Sequence, residues 1–451
     1  MAELPKLSDE FRESRTSRLM NLARFNSFSA TLGIGGIATF LHYVSTRLPL
    51  NLVRWAGPEA GWTDDCWSVA CFYFPGLLIR LLHVVYTMSP VSPNQYKTKP
   101  KRREFHHLYL CLITKGDNIQ TVRHSVREMQ HFQDLDPRIT LHILTDEGKE
   151  HRLLELCPGV TVDVVPTAFR PPVAKYKARC LEWFRLEKKL QDDDWVLHLD
   201  EETVVDEHSL RTYLDFIERG DAEIGQGVIF YNSRTLWTTP LLTVADLGRI
   251  SDDFGRFQFL VNYFHQPIIG IHGSHILTSG RAENAAGWDT ACVAEDYWFS
   301  VQAANRGLRF GWLPTVAREQ SPESVADFMR QRRRWYTGIW GTGHLPGRVS
   351  LVWWSCGACE PIFWSMFLLS GSRVLPTWIS LVILLDVSIR IFSGVSSCLI
   401  QDVDSGFTGI ILLQHVLVTL ALTPVAQIME GYSIISALVW PTKGFYTIKK
   451  Y

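Results

Sequence analysis

The sequence lacks an excess of either charge sign. Its 45 lysines and arginines nearly balance its 46 aspartates and glutamates, so the formal net charge is -1 at pH 7. Proteins that bind nucleic acid usually present a strongly basic surface. We therefore expect no nucleic-acid partner, and no feature of the sequence indicates an obligate protein partner.

Paired cysteine motifs and a cleavable signal peptide are also missing. The nine cysteines are scattered, and the one close pair, Cys356 and Cys359, has no second pair with which to complete a zinc site. Residues 1–28 are charged and polar, without an apolar core before a small-residue cleavage site, so we expect no cleaved signal peptide. This cysteine usage fits a domain in the reducing cytosol.

Long apolar runs are present toward both ends of the 451-residue chain. A helix needs roughly 20 mainly apolar residues to span a bilayer. Runs that approach or reach this length cover residues 29–44, 67–88, 351–371, 374–395 and 408–428. We therefore predict a multi-pass membrane protein, with a cytosolic tail in residues 1–28 and two transmembrane helices in residues 29–88. Residues 349–451 are predicted to form a C-terminal transmembrane bundle of about three to four segments and a short tail.

Two basic clusters flank the region between these segments. They are KTKPKRR at residues 97–103 and RQRRRW, which contains Arg332 and Arg333. Lysine and arginine next to membrane spans mark the cytosolic side of a membrane. Residues 89–348 are therefore predicted to form a cytosolic domain.

Strand-like runs alternate with helical runs within this domain. The runs HLYLCLIT, ITLHILTD and WVLHLD end at Thr114, Asp146 and Asp200. Repeated strand–helix–strand units predict a mainly parallel sheet with helices on both faces. Ligands of such sheets bind at the carboxyl ends of the strands. The three polar residues are therefore predicted to face one crevice.

Three consecutive carboxylates, Asp200, Glu201 and Glu202, end the last of these runs. A half-buried row of carboxylates is costly unless it binds a cation. Oxygen ligands favour Mg²⁺ or Mn²⁺, whose coordination shell a nucleotide diphosphate and water can complete. Asp200 and Glu202 can point to the same side, because alternate residues of an extended chain share a face. An exposed acidic turn explains the same residues equally well.

A second acidic pair, Glu295 and Asp296, precedes the aromatic run YWF. Burial against aromatic rings raises the proton affinity of a carboxylate, which suits a general base that takes a proton from an attacking hydroxyl. An alternative is that one of the two residues caps the helix that follows.

The motif Q-x-x-R-W occurs once, as Gln331, Arg334 and Trp335. The guanidinium fork of arginine matches phosphate, and an indole ring packs on sugars, so this set suits a leaving diphosphate beside an acceptor sugar. A membrane-surface helix is predicted here as well, with Arg332 and Arg333 facing lipid headgroups.

The order of these motifs resembles that of the inverting family 2 glycosyltransferases, which have the GT-A fold. The motifs are TKGD, the acidic strand end, the E-D pair and Q-x-x-R-W, followed at once by apolar segments. The segments HLDEETVV, GIHGSHILTSGRAEN, GWD, AEDYWFS and QRRRWYTGIW are similar to those of egghead-type β-1,4-mannosyltransferases, which mannosylate glucosylceramide. The resemblance covers residues 103–340.

This resemblance implies a cytosolic GT-A domain, with an interfacial Q-x-x-R-W helix at its end, anchored in the endoplasmic reticulum or Golgi membrane. The implied donor is GDP-mannose, the implied acceptor is glucosylceramide in the lipid bilayer, and the implied cofactor is Mg²⁺ or Mn²⁺.

The resemblance also implies roles for individual residues. Asp200 and Glu202 would be metal ligands, and Asp296 would be the catalytic base with Glu295 beside it. Nucleotide-sugar contacts are implied for Thr114, Lys115, Gly116, Asp117, Asp146, Lys177, Arg179, Asp200 and Glu201. Diphosphate and acceptor contacts are implied for Gln331, Arg334 and Trp335.

Two alternatives remain open at this stage. A processive polysaccharide synthase, similar to cellulose or hyaluronan synthase, would share the fold and the Q-x-x-R-W motif. Another lipid-acceptor hexosyltransferase that uses a UDP-sugar is the second alternative, because the residues alone do not separate guanine from uracil.

Overall fold

The computed structural model describes residues 27–47, 104–358, 360–361, 377–442 and 444. The strands are β1 (Leu108–Ile113), β2 (Ile139–Asp146), β3 (Thr161–Val165), β4 (Trp195–Asp200), β5 (Ile224–Phe230), β6 (Ile276–Ser279) and β7 (Phe310–Arg318). The α-helices are α1 (Ser27–Arg47), α2 (Ile119–Met129), α3 (Glu150–Leu156), α4 (Tyr176–Lys188), α5 (Glu207–Arg219), α6 (Pro240–Asp252), α7 (Gly280–Ala286), α8 (Glu295–Asn305), α9 (Val325–Gly341), α10 (Leu345–Ser355), α11 (Thr377–Asp404) and α12 (Ile410–Val439). Turns of 3-10 helix cover Gln130–Asp134 and Cys356–Ala358, and π-helical turns cover Asp253–Phe257 and Leu260–Phe264.

The central strands are apolar along most of their length because helices cover both faces of the sheet. β1 reads LYLCLI and β4 reads WVLHLD, and nearly all of their residues are buried. β2 coincides with the predicted run ITLHILTD. The prediction of strands at these three places is confirmed.

The strands form a seven-stranded mixed sheet of order β3-β2-β1-β4-β6-β5-β7. β6 is antiparallel to β4 and β5, and all other neighbours are parallel. Ile113 of β1 pairs with Leu144 of β2 and with Asp200 of β4, so the carboxyl ends of these strands lie at one edge. The predicted α/β architecture is confirmed as a mixed, mainly parallel sheet with helices on both faces.

Two apolar cores pack on the two faces of the sheet. Consecutive side chains of β1 belong to different cores, Leu110 to one and Cys111 to the other, because side chains alternate along a strand. Val122 of α2 joins the first core, and Phe184 of α4 and Phe299 of α8 join the second. Burying one such large apolar side chain contributes about 1.5–3 kcal/mol, so the helices hold the sheet from both sides.

Buried polar contacts anchor the C-terminal helices in the sheet domain. Arg318 at the end of β7 forms a salt bridge of 2.7 Å with Asp404 at the end of α11. Asn232 donates a hydrogen bond of 2.7 Å to the same carboxylate, and the backbone N–H of Tyr231 donates one of 2.7 Å to Gln401. α11 is therefore packed into the domain that carries the sheet.

Two helical segments, Leu381–Asp404 and Ile410–Val439, are long and apolar enough to cross a membrane, by length and composition. Only 11% of the most apolar part of the second is buried, against 50% for the first. At the N-terminal end, the apolar stretch Leu32–Tyr43 is shorter than a spanning helix, and the predicted span 67–88 lies outside the described residues. Residues 362–371 of the predicted span 351–371 also lie outside the described residues. Transmembrane helices at both ends are therefore not confirmed.

Arg332 lies in the protein interior. Its side chain is 1% exposed, with Nη2 at 2.5 Å from a carboxylate oxygen of Asp246 in α6 and Nε at 3.2 Å from one of Glu430 in α12. The prediction that Arg332 faces lipid headgroups is wrong, because α6 and α12 cover this face of α9. Arg333 is half-buried, and its Nε donates a hydrogen bond of 2.6 Å to the carbonyl of Trp440.

Replacing Arg332 should destabilise the fold strongly. Arg332→Met leaves the buried carboxylate of Asp246 and the partly exposed carboxylate of Glu430 without their cation, which is expected to lower the free energy of unfolding by about 3–5 kcal/mol. The matched control is Arg330→Met on the same helix, since the Arg330 side chain is 57% exposed and its pair with Asp327 is a surface pair of about 0–1 kcal/mol. Denaturant unfolding of the detergent-solubilised protein measures both, and equal effects would contradict the assignment.

Candidate active site

A cavity of about 1000 Å³ opens at the carboxyl ends of β1, β2 and β4. It extends from this sheet edge to α11 and α12. Of the residues predicted to form the site, those that line the cavity are Thr114, Lys115, Asp146, Lys177, Asp200, Glu201, Glu202, Glu295, Asp296, Gln331, Arg334 and Trp335. The structure thus brings together most of the predicted residues, although they come from distant parts of the chain.

The loop after β1 is shaped by Gly116. Its φ of +79° is a conformation that favours glycine, and a Cβ at this position would lie 2.9 Å from Cβ of Lys149. The turn lets the backbone N–H of Gly116 donate a hydrogen bond of 2.9 Å to the hydroxyl of Thr114. Asp117 lies 3.2 Å from the ammonium groups of both Lys115 and Lys149. The loop therefore presents a mixed-charge surface beside the cavity.

Glu201 joins the loop after β4 to the loop after β1. Its carboxylate accepts a hydrogen bond of 2.6 Å from the Thr114 hydroxyl and another from the side-chain amide of Asn118. Its backbone carbonyl accepts one of 2.9 Å from the Ser125 hydroxyl. These contacts give the buried Glu201 a structural function that the sequence did not indicate, since Asn118 and Ser125 belong to no motif.

Asp146 and Arg179 form a salt bridge of 2.7 Å at the end of β2. Nε of Arg179 also donates a hydrogen bond of 3.0 Å to the carbonyl of Phe169. Asp146 lines the cavity and its side chain is about half exposed, whereas Arg179 lies behind it and does not line the cavity.

Lys177 of α4 connects the acidic strand end to the second acidic pair. Its Nζ lies 2.5 Å from a carboxylate oxygen of Asp200, 2.8 Å from the carbonyl oxygen of Gly273 and 3.7 Å from a carboxylate oxygen of Glu295. Burial acts to lower the pKa of Lys177, but Asp200 and Glu295 outweigh it and raise the pKa above the ordinary lysine value. Lys177 therefore remains charged between the two groups of acids.

Glu295 and Asp296 are the first residues of α8, and the N-cap position is Ala294. The alternative that one of the two acids is the N-cap is therefore wrong. Burial, reinforced by the adjacent Asp296, outweighs the Lys177 charge and raises the pKa of Glu295 to about 7. Burial likewise raises the pKa of Asp296 above its ordinary value. A carboxylate with raised proton affinity suits the work of a general base.

Space beside Asp296 depends on Gly273. A Cβ at this position would lie 2.9 Å from Oδ2 of Asp296 and 3.6 Å from Nζ of Lys177. The next residue, Ser274, accepts a hydrogen bond of 3.1 Å from the backbone N–H of Asp200. Gly273 and Ser274 thus belong to the site, although none of the predicted site residues lies in the segment GIHGSHILTSGRAEN that contains them.

The Q-x-x-R-W residues line the cavity next to the acid pair. Nη1 of Arg334 donates a hydrogen bond of 3.1 Å to the carbonyl of Val293, which precedes the acid pair by two residues. The ring of Trp335 lies 4.5 Å from the guanidinium carbon of Arg249 and 4.4 Å from that of Arg332. Cation–π contacts of this kind hold the indole in position. The side-chain carbonyl of Gln331 accepts a hydrogen bond of 3.2 Å from Arg332.

The donor atoms of this edge fit a hard divalent cation. Asp200 and Glu202 both line the cavity, and their carboxylate oxygens are the ligand type that Mg²⁺ and Mn²⁺ prefer. Within the part of the chain that the structure describes, no group of three or more His, Cys, Asp or Glu side chains is arranged to hold a metal ion. A cation here would therefore take further ligands from a bound diphosphate and from water.

Known proteins share these features. The family model for glycosyl transferase family group 2 matches residues 195–422. The chain is 35% identical over 225 residues to the β-1,4-mannosyltransferase bre-3 of Caenorhabditis briggsae, a match that covers 48% of this chain and 49% of that protein. It is 28% identical over 369 residues to the β-1,4-mannosyltransferase egh of Drosophila melanogaster, with 76% and 78% covered. The chain thus aligns with about half the length of the nematode relative.

One solved structure aligns with most of the chain. It is the mannosyltransferase PcManGT from Pyrobaculum calidifontis in complex with GDP-Man and Mn²⁺, with 11% sequence identity, a TM-score of 0.44, and coverage of 90% of this chain and 98% of that one. A superposition at this score does not by itself establish a common fold. The family assignment depends instead on the sequence match, which covers about half of the 451 residues. On that basis, the chain belongs to glycosyl transferase family group 2.

Proposed function

We propose that this protein is an inverting β-1,4-mannosyltransferase that transfers mannose from GDP-mannose to the glucose of glucosylceramide. The proposal depends on one observation: Asp200 and Asp296 line the same cavity, which extends to the C-terminal helices. The activity named for the nematode and fruit-fly relatives supports the sugar and the linkage. The guanine base and the lipid acceptor depend on the resemblance to egghead-type enzymes.

The donor is proposed to bind at the sheet edge. Residues at the ends of β1 and β2 would contact the nucleoside, namely Thr114, Lys115, Gly116, Asp117 and Asp146, with Arg179 beside Asp146. Lys177 would face the diphosphate, because its charged Nζ lies against Asp200. Asp200 and Glu202 would hold Mg²⁺ or Mn²⁺, which when bound would offset the negative charge of the diphosphate.

Asp296 is proposed as the catalytic base. It would take the proton of the acceptor 4-hydroxyl while that oxygen forms a bond to the anomeric carbon of mannose. The bond from this carbon to the diphosphate oxygen breaks at the same time, and GDP leaves with the bonding electrons. Because this is a single displacement, the α-linked donor yields a β-linked product. Arg334, beside the acid pair, would stabilise the negative charge of the leaving group.

A membrane location supports the choice of a lipid acceptor. Each buried CH₂ group of a lipid tail contributes about 0.8 kcal/mol to membrane binding, so the enzyme must bring its site to the bilayer surface. The cavity reaches α11 and α12, which contain the two helical segments able to span a membrane. We propose a multi-pass protein of the endoplasmic reticulum or Golgi whose sheet domain faces the cytosol.

Sugar transfer should depend on Asp296. Detergent-solubilised protein is incubated with glucosylceramide and either GDP-mannose or UDP-glucose, with and without Mn²⁺, and the products are identified by mass. We expect one added hexose from GDP-mannose, and a decrease in kcat of about 10²–10⁴-fold for Asp296→Asn, since general-base catalysis contributes on that order. Donor binding, measured by calorimetry, should be retained. The control is Asp192→Asn, at an exposed position, which should leave kcat unchanged. Normal transfer by Asp296→Asn would contradict the proposal. Formation of a long polymer by the wild type would also contradict it.

The pH dependence of transfer should reflect the raised pKa values of the acid pair. Because a base must be unprotonated and burial raises the pKa of Asp296, kcat/KM of the wild type is expected to fall with decreasing pH at a higher pH than an ordinary aspartate would give. Glu295→Gln removes a neighbouring negative charge, so the pKa of Asp296 should decrease and the acidic limb should move to lower pH. Profiles of kcat/KM against pH measure this. A limb that stays in place or moves to higher pH would exclude coupling between the two acids.

A further inference from the structure

We propose that the C-terminal helices contain a polar subsite for the neutral, hydrogen-bonding backbone of the acceptor lipid, next to its sugar. We call it the helix subsite and define it by five residues: Glu360, Arg390, Thr419, Thr423 and Gln427. This inference depends on the proposed function, because it concerns how the same enzyme recognises its acceptor.

The helix subsite lines the same cavity as the catalytic acids. Arg390 of α11 forms a salt bridge with Glu360, and its Nε lies 3.5 Å from Asp386 one helical turn away. On the facing helix α12, the Thr423 hydroxyl donates a hydrogen bond of 2.6 Å to the carbonyl of Thr419. Polar groups from two neighbouring helices therefore meet at the membrane end of the cavity.

Two polar atoms of the helix subsite lack a strong hydrogen-bond partner. The side-chain carbonyl oxygen of Gln427 is buried and has no hydrogen-bond partner among the described residues. The buried hydroxyl of Thr419 lies beside the thiol of Cys398, which is only a weak hydrogen-bonding group. Thr419 is only 1% exposed. A buried polar atom without a partner costs free energy, which a ligand hydroxyl or amide N–H would recover.

Gly394 leaves open space between α11 and α12. A Cβ on Gly394 of α11 would lie 3.8 Å from Cγ2 of Thr419 and 4.0 Å from Oγ1 of Thr423, which is ordinary contact distance. Gly394 also lines the cavity. The absence of a side chain at Gly394 therefore leaves a slot at the level of the two threonines.

The charges of this end favour a neutral ligand over a phosphate. Three arginines that line the cavity are each paired with carboxylates: Arg256 with Asp252, Arg332 with Asp246 and Glu430, and Arg390 with Glu360 and Asp386. Arg249 instead lies against Trp335 and contacts His272. A phosphate would have to compete with these carboxylates for its cations, whereas hydroxyl and amide groups would not.

The position of the helix subsite suits a ligand that stays in the bilayer. Charged residues in an apolar helix are costly unless they face the protein interior, and Asp386 and Arg390 do so within the segment Leu381–Asp404. The opposite face of α12 carries exposed apolar side chains such as Leu413 and Leu417. The helix subsite is thus next to a surface that lipid tails can cover.

The double variant Thr419→Val, Gln427→Met tests the proposal through acceptor selectivity. Glucosylceramide offers a hydroxyl and an amide beside its sugar, and octyl β-glucoside offers neither. We expect the ratio of kcat/KM for glucosylceramide to that for octyl β-glucoside to decrease about tenfold in the variant, as expected for the loss of two hydrogen bonds. The control Leu417→Val, on the exposed face of α12, should keep the wild-type ratio. An unchanged ratio in the double variant, or equal loss with both acceptors, would overturn the proposal.

Binding without a donor separates this inference from the proposed function. Native mass spectrometry of wild type and double variant, with glucosylceramide or with a glucosyl polyprenyl phosphate, measures retention of each lipid. We expect the wild type to retain glucosylceramide selectively and the variant to lose it. If the wild type retains it but transfers no mannose, the proposed function fails and the helix subsite stands. If the wild type retains the phosphate lipid equally well, or fails to retain glucosylceramide, the helix subsite is overturned whatever the activity.

Discussion

The ammonium group of Lys177 lies 2.5 Å from a carboxylate oxygen of Asp200 and 3.7 Å from one of Glu295. These carboxylates belong to the end of β4 and the start of α8, so a single cation joins the candidate donor site to the candidate base. Burying one charge without partners costs several kcal/mol, and a buried ion pair is tolerated only when its geometry satisfies both ions. The position of α8 against the sheet edge, and with it the position of Asp296, therefore depends on Lys177. Gly273 contributes the carbonyl and the open space that this arrangement needs.

A second set of buried charges connects the site to the C-terminal helices. Arg332 pairs with Asp246 and Glu430 while its guanidinium lies 4.4 Å from the ring of Trp335. Arg332 thus positions the indole of Trp335, and the carboxylates of α6 and α12 position Arg332. A change in the position of α12 would alter the Arg332 contacts and, through them, the wall of the cavity at Trp335. This physical connection links the sheet domain to the part of the cavity wall that the apolar helices form.

The same cavity has two different electrostatic characters. At the sheet edge, Asp200 is 38% exposed and Asp146 is 48% exposed, so water, a cation or a diphosphate can reach them. At the end lined by α11 and α12, Arg390 is paired with Glu360 and Asp386, and hydroxyl and amide groups line the wall. The charged donor and the neutral lipid acceptor that we propose have different solvation costs, and each end of the cavity matches one of them. The acid pair lines the same cavity, where burial raises the pKa of both carboxyl groups.

The sequence by itself determined the local elements and the residue types of the site. Apolar runs ending at Thr114, Asp146 and Asp200 predicted the three parallel strands and their common edge, because strand length and the position of polar residues at strand ends are local properties. It did not reveal that Glu201 bonds Asn118, or that Arg332 is buried, because these contacts join residues 83 to 98 positions apart. Which face of a helix is covered depends on what packs against it. Only the tertiary structure decides which face of a helix is covered. It shows that Arg332 is buried against α6 and α12 and contacts the ring of Trp335, instead of facing lipid headgroups.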